Sequence, residues 1–193
     1  MNILKKLGIA LIVAIAVSLV FLFRDELKPG PTLEDFSGAT ELHPVVEEKK
    51  NKLVQQASDQ GISIVITEGF RSKEEQDKLY AKGRTEEGNI VTYSKGGQSY
   101  HNYGLAIDFA IQLKDGRVIW DMEYDGNNNN QSDWMEVVDI AKNLGFEWGG
   151  DWQGFKDYPH FQMSPENIKT THANKACVFL RGNIISLYLC QNL

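Results

Sequence analysis

Residues 99–110 read SYHNYGLAIDFA, the apolar run of a buried strand that nevertheless carries His101 and Asp108. On one straight strand these two side chains would point to opposite faces, because they are an odd number of residues apart. Gly104 lies between them, and glycine inside a strand pattern marks a bend or a close backbone approach. A bend there puts His101 on its loop side and Asp108 on the strand proper, and the parity objection disappears. Ile107 and Phe109 flank Asp108, which predicts a partly dry carboxylate, and a buried carboxylate needs a partner or a metal. On this stretch alone, a hydrogen-bonded structural His–Asp pair is the commoner outcome.

The rest of the chain predicts an α+β fold, a central antiparallel sheet flanked by helices. PVVEEKKNKLVQQASD, residues 44–59, is helical, with Val46, Leu53, Val54 and Ala57 on one face and Gly61 as the stop. ISIVITEGF, residues 62–70, is a short β-branched strand. Ser72 and Glu75 form a capping box for a second helix that ends at Gly83. Residues 84–100 read as loop. LAIDFAIQL and RVIW flank a hairpin signal at Asp115-Gly116. DWMEVVDIAKNL is a third helix, and the aromatic segments FEWGGDW and YPHFQM suit a last hairpin.

The N-terminus stands apart. Lys5 and Lys6 precede the apolar run Leu7–Phe23, seventeen residues long, at the low end of what spans a bilayer. The run predicts an uncleaved anchor over residues 1–27, with a cleaved signal peptide as the rival reading. Lys5 and Lys6 then keep the N-terminus cytoplasmic and place the remainder on the extracellular face, or release it as a secreted protein if the run is cleaved. Residues 28–42, rich in Pro, Gly and acids, read as a linker to a domain over 43–163. The tail, 164–193, breaks the pattern and holds the only two cysteines, Cys177 and Cys190, which an extracellular site would permit to pair. The net charge is −6. No basic patch interleaved with aromatics is visible, which argues against nucleic acid as a partner.

WGGDWQGFKDYPHFQM adds His160, with Asp157 three residues before it. Two histidines and one carboxylate suit Zn²⁺ and leave a fourth position open, the pattern of a catalytic site in a cleft. Here the residues resemble a known family. The pattern S-x-H-x-x-G-x-A-x-D from Ser99 to Asp108, the later D-x-x-H from Asp157 to His160, and GFRSKEEQDKLYAKG upstream are similar to the zinc peptidases that cut peptidoglycan stem peptides. That family includes D-Ala-D-Ala carboxypeptidases and dipeptidases and L-alanyl-D-glutamate endopeptidases, and the SDWMEVVDIAKNLGFEWGGDW context resembles the endopeptidase branch. The resemblance implies that His101, Asp108 and His160 bind Zn²⁺. It implies Asp157 as the general base, Arg71 as the group facing the oxyanion, and Gln76 and Ser99 as residues lining the site. It implies cleavage of the L-Ala-γ-D-Glu bond. A D,D-carboxypeptidase or dipeptidase, and a non-catalytic zinc or wall-binding module, remain open beside it.

DGNNNNQSDWME raises a second metal. Counting Asp125 as position 1, oxygen donors fall at Asn127 (3), Asn129 (5), the Gln131 carbonyl (7), Asp133 (9) and Glu136 (12), as in a calcium loop. Asn130 replaces the usual glycine at position 6. The alternative is a solvated polar turn with Ser132 or Asp133 capping the helix.

Overall fold

The computed structural model describes residues 29–171 and, before them, Ser18 alone. The chain divides into two units, Met1–Gly30 and Pro31–Leu193, and the elements below belong to the second. The apolar run read as an anchor lies outside the described residues apart from Ser18, and Cys177 and Cys190 lie outside them as well. Among the described residues, no helix is long and apolar enough to cross a membrane.

Among the described residues the unit contains α1 (Pro44–Asp59), β1 (Ile64–Glu68), α2 (Lys73–Ala81), β2 (Ala106–Gln112), β3 (Val118–Ile119), α3 (Asp133–Asn143), β4 (Glu147–Trp148) and β5 (His160–Gln162), besides short 3-10 turns and a further helical segment. Pro44 opens α1 with its φ already helical, and His43 caps it by accepting the Val45 N–H. The Ser72–Glu75 capping box at α2 forms as the sequence predicts: Glu75 N–H donates to Ser72 Oγ (3.1 Å) and Ser72 N–H to Glu75 Oε2 (2.9 Å).

Every ladder of the sheet is antiparallel, giving the α+β class read from the sequence. β2 is central. β1 pairs along one edge, while β5 and β3 share the other edge at opposite ends, and β4 extends the sheet beyond β5. Strand parity then divides the chemistry. Ile107, Phe109 and Ile111 of β2 and Phe161 of β5 join Val45, Val46, Leu53 and Ala57 of α1 and Trp134, Val137, Val138 and Ala141 of α3 in one core. Phe109 stacks on Phe161, with ring centroids 4.9 Å apart. The alternate residues, Asp108, His160 and Gln162, fall on the opposite face of the same strands.

The core reaches past the expected domain limits on both sides. Leu33, Phe36 and Leu42, in the stretch read as linker, pack against it. Ile168, beyond Met163, is 3% exposed; it lies in a helical segment spanning residues 165–171. These apolar positions are single and scattered, so no periodicity announced them.

Candidate active site

The bend predicted at Gly104 exists. Residues Tyr100–Tyr103 form a 3-10 turn that Gly104 ends in the left-handed region at φ 67°. A side chain at Gly104 would run into the Glu41 carbonyl as well as this backbone conformation. β2 starts two residues later. His101 therefore comes from the turn and Asp108 from the strand. His160 arrives from β5, where it pairs directly with Asp108 in the ladder.

Three ligand atoms converge. His160 Nδ1 is 3.1 Å from Asp108 Oδ1, His101 Nε2 is 3.3 Å from that oxygen, and the two ring nitrogens are 3.1 Å apart. A tetrahedral zinc with bonds of about 2.0–2.1 Å needs ligand atoms about 3.3 Å apart. Hydrogen bonds on the far side of each ring set its tautomer. His101 Nδ1 lies 2.6 Å from the Gly69 carbonyl, which can only accept, so Nδ1 carries the proton and Nε2 offers a lone pair. His160 Nε2 lies 3.1 Å from Gln162 Oε1, which leaves Nδ1 as the ligand, and Gln162 in turn donates to Glu147 Oε2 at 3.0 Å. Both imidazoles thus turn lone pairs toward one point beside a carboxylate oxygen, an arrangement that a cation resolves. The ligand atoms of His101, Asp108 and His160 all lie within 4.8 Å of one another, close enough to share one metal ion. In the metal-free protein burial works against the charge on Asp108, and imidazolium forms of His101 and His160, protonated also on the atoms that face Oδ1, outweigh it and hold the carboxyl below the usual carboxylate range; with neutral rings, a bound cation takes over that role.

Arg71 sits beside this trio, its side chain 13% exposed and Nη2 3.9 Å from Asp108 Oδ2. Nη2 also donates to Glu68 Oε2 (3.2 Å) and Nη1 to Gln76 Oε1 (2.9 Å). The Arg71 backbone is docked on the histidine turn: its N–H donates to the His101 carbonyl (3.1 Å), and Asn102 Nδ2 donates to the Arg71 carbonyl (2.9 Å).

Asp157, Arg71, Ser99 and the metal trio line one cleft of about 480 Å³, with Tyr93, Trp152 and Phe155 among its walls. Burial, with a smaller push from Asp108, raises the Asp157 carboxyl above its ordinary value against the pull of His160, His101 and Arg71. Gln76 is placed differently from Ser99. It is fully buried and stands behind Arg71, donating to the Ser94 carbonyl (2.8 Å) and Thr92 Oγ1 (3.3 Å). Glu68, Asn102, Glu147 and Gln162 were not singled out from the sequence. Only Gln162 left a signal there, since it shares a strand face with His160 two residues earlier.

The antiparallel α+β scaffold carries a His–Asp–His cleft that could hold one metal ion, the arrangement of a metallohydrolase. A family model described as D-alanyl-D-alanine carboxypeptidase matches residues 92–163. The peptidoglycan L-alanyl-D-glutamate endopeptidase CwlK of Bacillus subtilis (strain 168) is 57% identical over 166 residues, covering 86% of this chain and 99% of that protein. The L-alanyl-D-glutamate peptidase of Listeria phage A118 is 36% identical over 119 residues, which are 62% of this chain and 37% of the phage enzyme. Among solved structures, the L-Ala D-Glu endopeptidase ChiX of Serratia marcescens is 25% identical with a TM-score of 0.44, over 64% of this chain and 80% of that one. The chain belongs to the M15 family of peptidoglycan peptidases.

Proposed function

We propose that this chain is a zinc endopeptidase that cuts the L-Ala-γ-D-Glu bond of peptidoglycan stem peptides. The observation that carries the reading is 57% identity along 99% of an enzyme of that name, joined to a complete ligand trio in this chain.

His101 Nε2, Asp108 Oδ1 and His160 Nδ1 would hold the zinc, which would supply Lewis-acid polarisation of the scissile carbonyl and a water nucleophile near neutral pH. The chain's own residues do the rest. Asp157, in the same cleft as the ligand trio, takes a proton from the attacking water and passes it to the leaving amine. The Arg71 guanidinium is always charged. Glu68 and Gln76 hold it beside the metal trio, where it faces the developing oxyanion and contributes about 3 kcal/mol, as single oxyanion donors do. Ser99 and the aromatic walls Tyr93, Trp152 and Phe155 receive the stem peptide. Lys5 and Lys6 before the run Leu7–Phe23 support attachment to the outer face of the cell membrane, or secretion if that run is removed.

The test is a digest of purified peptidoglycan with and without chelator, with new termini identified by mass spectrometry. Chelator-sensitive N-terminal D-Glu is expected. The description of the matching family model favours one alternative, a D,D-carboxypeptidase, and free D-Ala as the product would establish it instead. No cleavage by the zinc-loaded protein would point to a binding module.

A further inference from the structure

We infer that the loop Asp125–Glu136 is a calcium site, separate from the catalytic metal, that fastens the start of α3 to the end of α1. The inference goes beyond the peptidase reading and does not depend on which bond is cut.

The loop already has the backbone course that such a site needs. Asp125, at position 1, accepts the N–H groups of Asn129 (3.2 Å) and Asn130 (3.0 Å). Asn127 and Asn129 accept from the residues two further on, Asn129 N–H (3.1 Å) and Gln131 N–H (2.8 Å). Asn130, which stands where a calcium loop has its glycine, adopts φ 66°. The substitution therefore keeps the left-handed turn, which asparagine tolerates.

Glu136 gathers two of the other donor side chains. Glu136, at position 12, lies in the first turn of α3. Its two oxygens face the amides of Asn127 (3.1 Å) and Asn129 (2.8 Å). Amide N–H groups here stand where a cation would bind, and turning the two amides over presents their oxygens to the same point.

Independent of those contacts is Asp133, at position 9. It is 2% exposed, and Oδ2 accepts the Gly126 N–H at 3.1 Å, so the carboxylate is aimed into the loop. Oδ1 is buried with no hydrogen-bond partner among the described residues. A buried carboxylate oxygen without a partner is costly, and Asp125 and Glu136 add like charge around it. A divalent cation supplies the missing partner and offsets two of the three negative charges. Among divalent cations, six or more oxygen donors in a flexible loop, with a bidentate glutamate at position 12, select calcium over magnesium.

The consequence is structural. Asn127 Nδ2 also reaches the Gln60 carbonyl at the end of α1 (3.3 Å), and Asp133 N–H donates to the Tyr124 carbonyl (2.9 Å). An ion at this point ties together the two helices that pack on the apolar face of the sheet.

The test titrates CaCl₂ into the zinc-loaded full chain by calorimetry and follows its melting temperature. Saturable binding is expected, with Tm raised by about 4 °C at a tenfold excess over Kd. Glu136→Gln and Asp125→Asn should each abolish both effects while zinc content stays unchanged. No saturable heat and no Tm shift in the folded wild type up to about 10 mM calcium would overturn the inference. An undiminished response in both variants would overturn it equally, by placing the ion elsewhere.

Discussion

Asp108 and His160 stand directly opposite each other on β2 and β5, and Asp108 Oδ1 lies 3.1 Å from His160 Nδ1. The sheet ladder itself therefore sets two of the three proposed metal ligands, and only His101 depends on a turn. Either Asp108→Ala or His160→Ala should remove zinc and abolish hydrolysis. Chelation of the wild type should lower Tm by about 10 °C, the shift expected for a ligand present far above its Kd. Metal analysis and thermal melts check both. A variant that keeps stoichiometric zinc would break the ligand assignment.

Gln162 holds the His160 ring by its Nε2–H and is itself held by Glu147. Gln162→Leu keeps the side-chain volume and removes the acceptor. It should weaken zinc affinity by about 10- to 100-fold, the usual loss when the partner of a ligating histidine is removed. Competition against a chromogenic chelator measures this directly, and excess zinc should restore most of the activity.

Asp157 should show its role through pH and through stability together. Asp157→Asn keeps zinc and should lose about 10²- to 10⁴-fold in kcat, the range for a general base. The base must be ionised, so wild-type activity should fall as pH drops through the Asp157 pKa; burial raises that carboxyl in the metal-free protein, and bound zinc pulls it back down. The stability effect has the opposite sense. A carboxyl whose pKa is raised in the folded state favours folding when protonated and loses that contribution as pH rises through the folded value. The metal-free Asn variant should therefore melt higher than the metal-free wild type at neutral pH, and the gap should close in acid. Equal Tm values across that range would remove burial as the cause.

Arg71 and Gln76 should separate by how they fail. Arg71→Ala removes the oxyanion partner and should cost about 10²- to 10³-fold in kcat with little change in KM. Gln76→Ala removes no group from the cleft. It frees one arm of the guanidinium fork and leaves the Ser94 carbonyl without its donor. A smaller loss of kcat is expected, with a stability loss of about 1–3 kcal/mol. If Gln76→Ala instead raised KM alone, Gln76 would be a substrate contact.

Much of the site was legible because its chemistry lies in short motifs. Gly104 announced the bend that reconciles His101 with Asp108, and YPHFQM marked His160 as part of an aromatic strand, with Asp157 three residues before it. What stayed hidden is non-local. That Glu68 and Asn102 brace Arg71 depends on how β1, the histidine turn and the start of α2 meet, which no spacing within one segment encodes. The family resemblance placed Gln76 at the cleft, whereas the fold sets it one layer back. Leu33, Phe36 and Ile168 escaped because single apolar residues in polar surroundings carry no period, although each packs on the core.

Gly149 offers a way to move the base without touching it. It follows β4 in the segment Gly149–Asp151 and accepts the Asp157 N–H at 3.2 Å. A side chain at Gly149 would run into the Asp157 carbonyl and meet its Cβ at 3.0 Å. The two backbones can approach this closely only because position 149 has no Cβ. Gly149→Ala should push the 157 segment outward. Asp157 then shifts relative to the scissile carbonyl, while His101 and Asp108, on other elements, stay in place. A displacement of about 1 Å is enough to cost about 10²-fold in rate. The expected signature is a kcat loss of that order with zinc stoichiometry near one. If activity fell only in proportion to lost zinc, the substitution would be acting through His160, three residues on from Asp157 in the same segment, and Gly149 would set the metal site rather than the base.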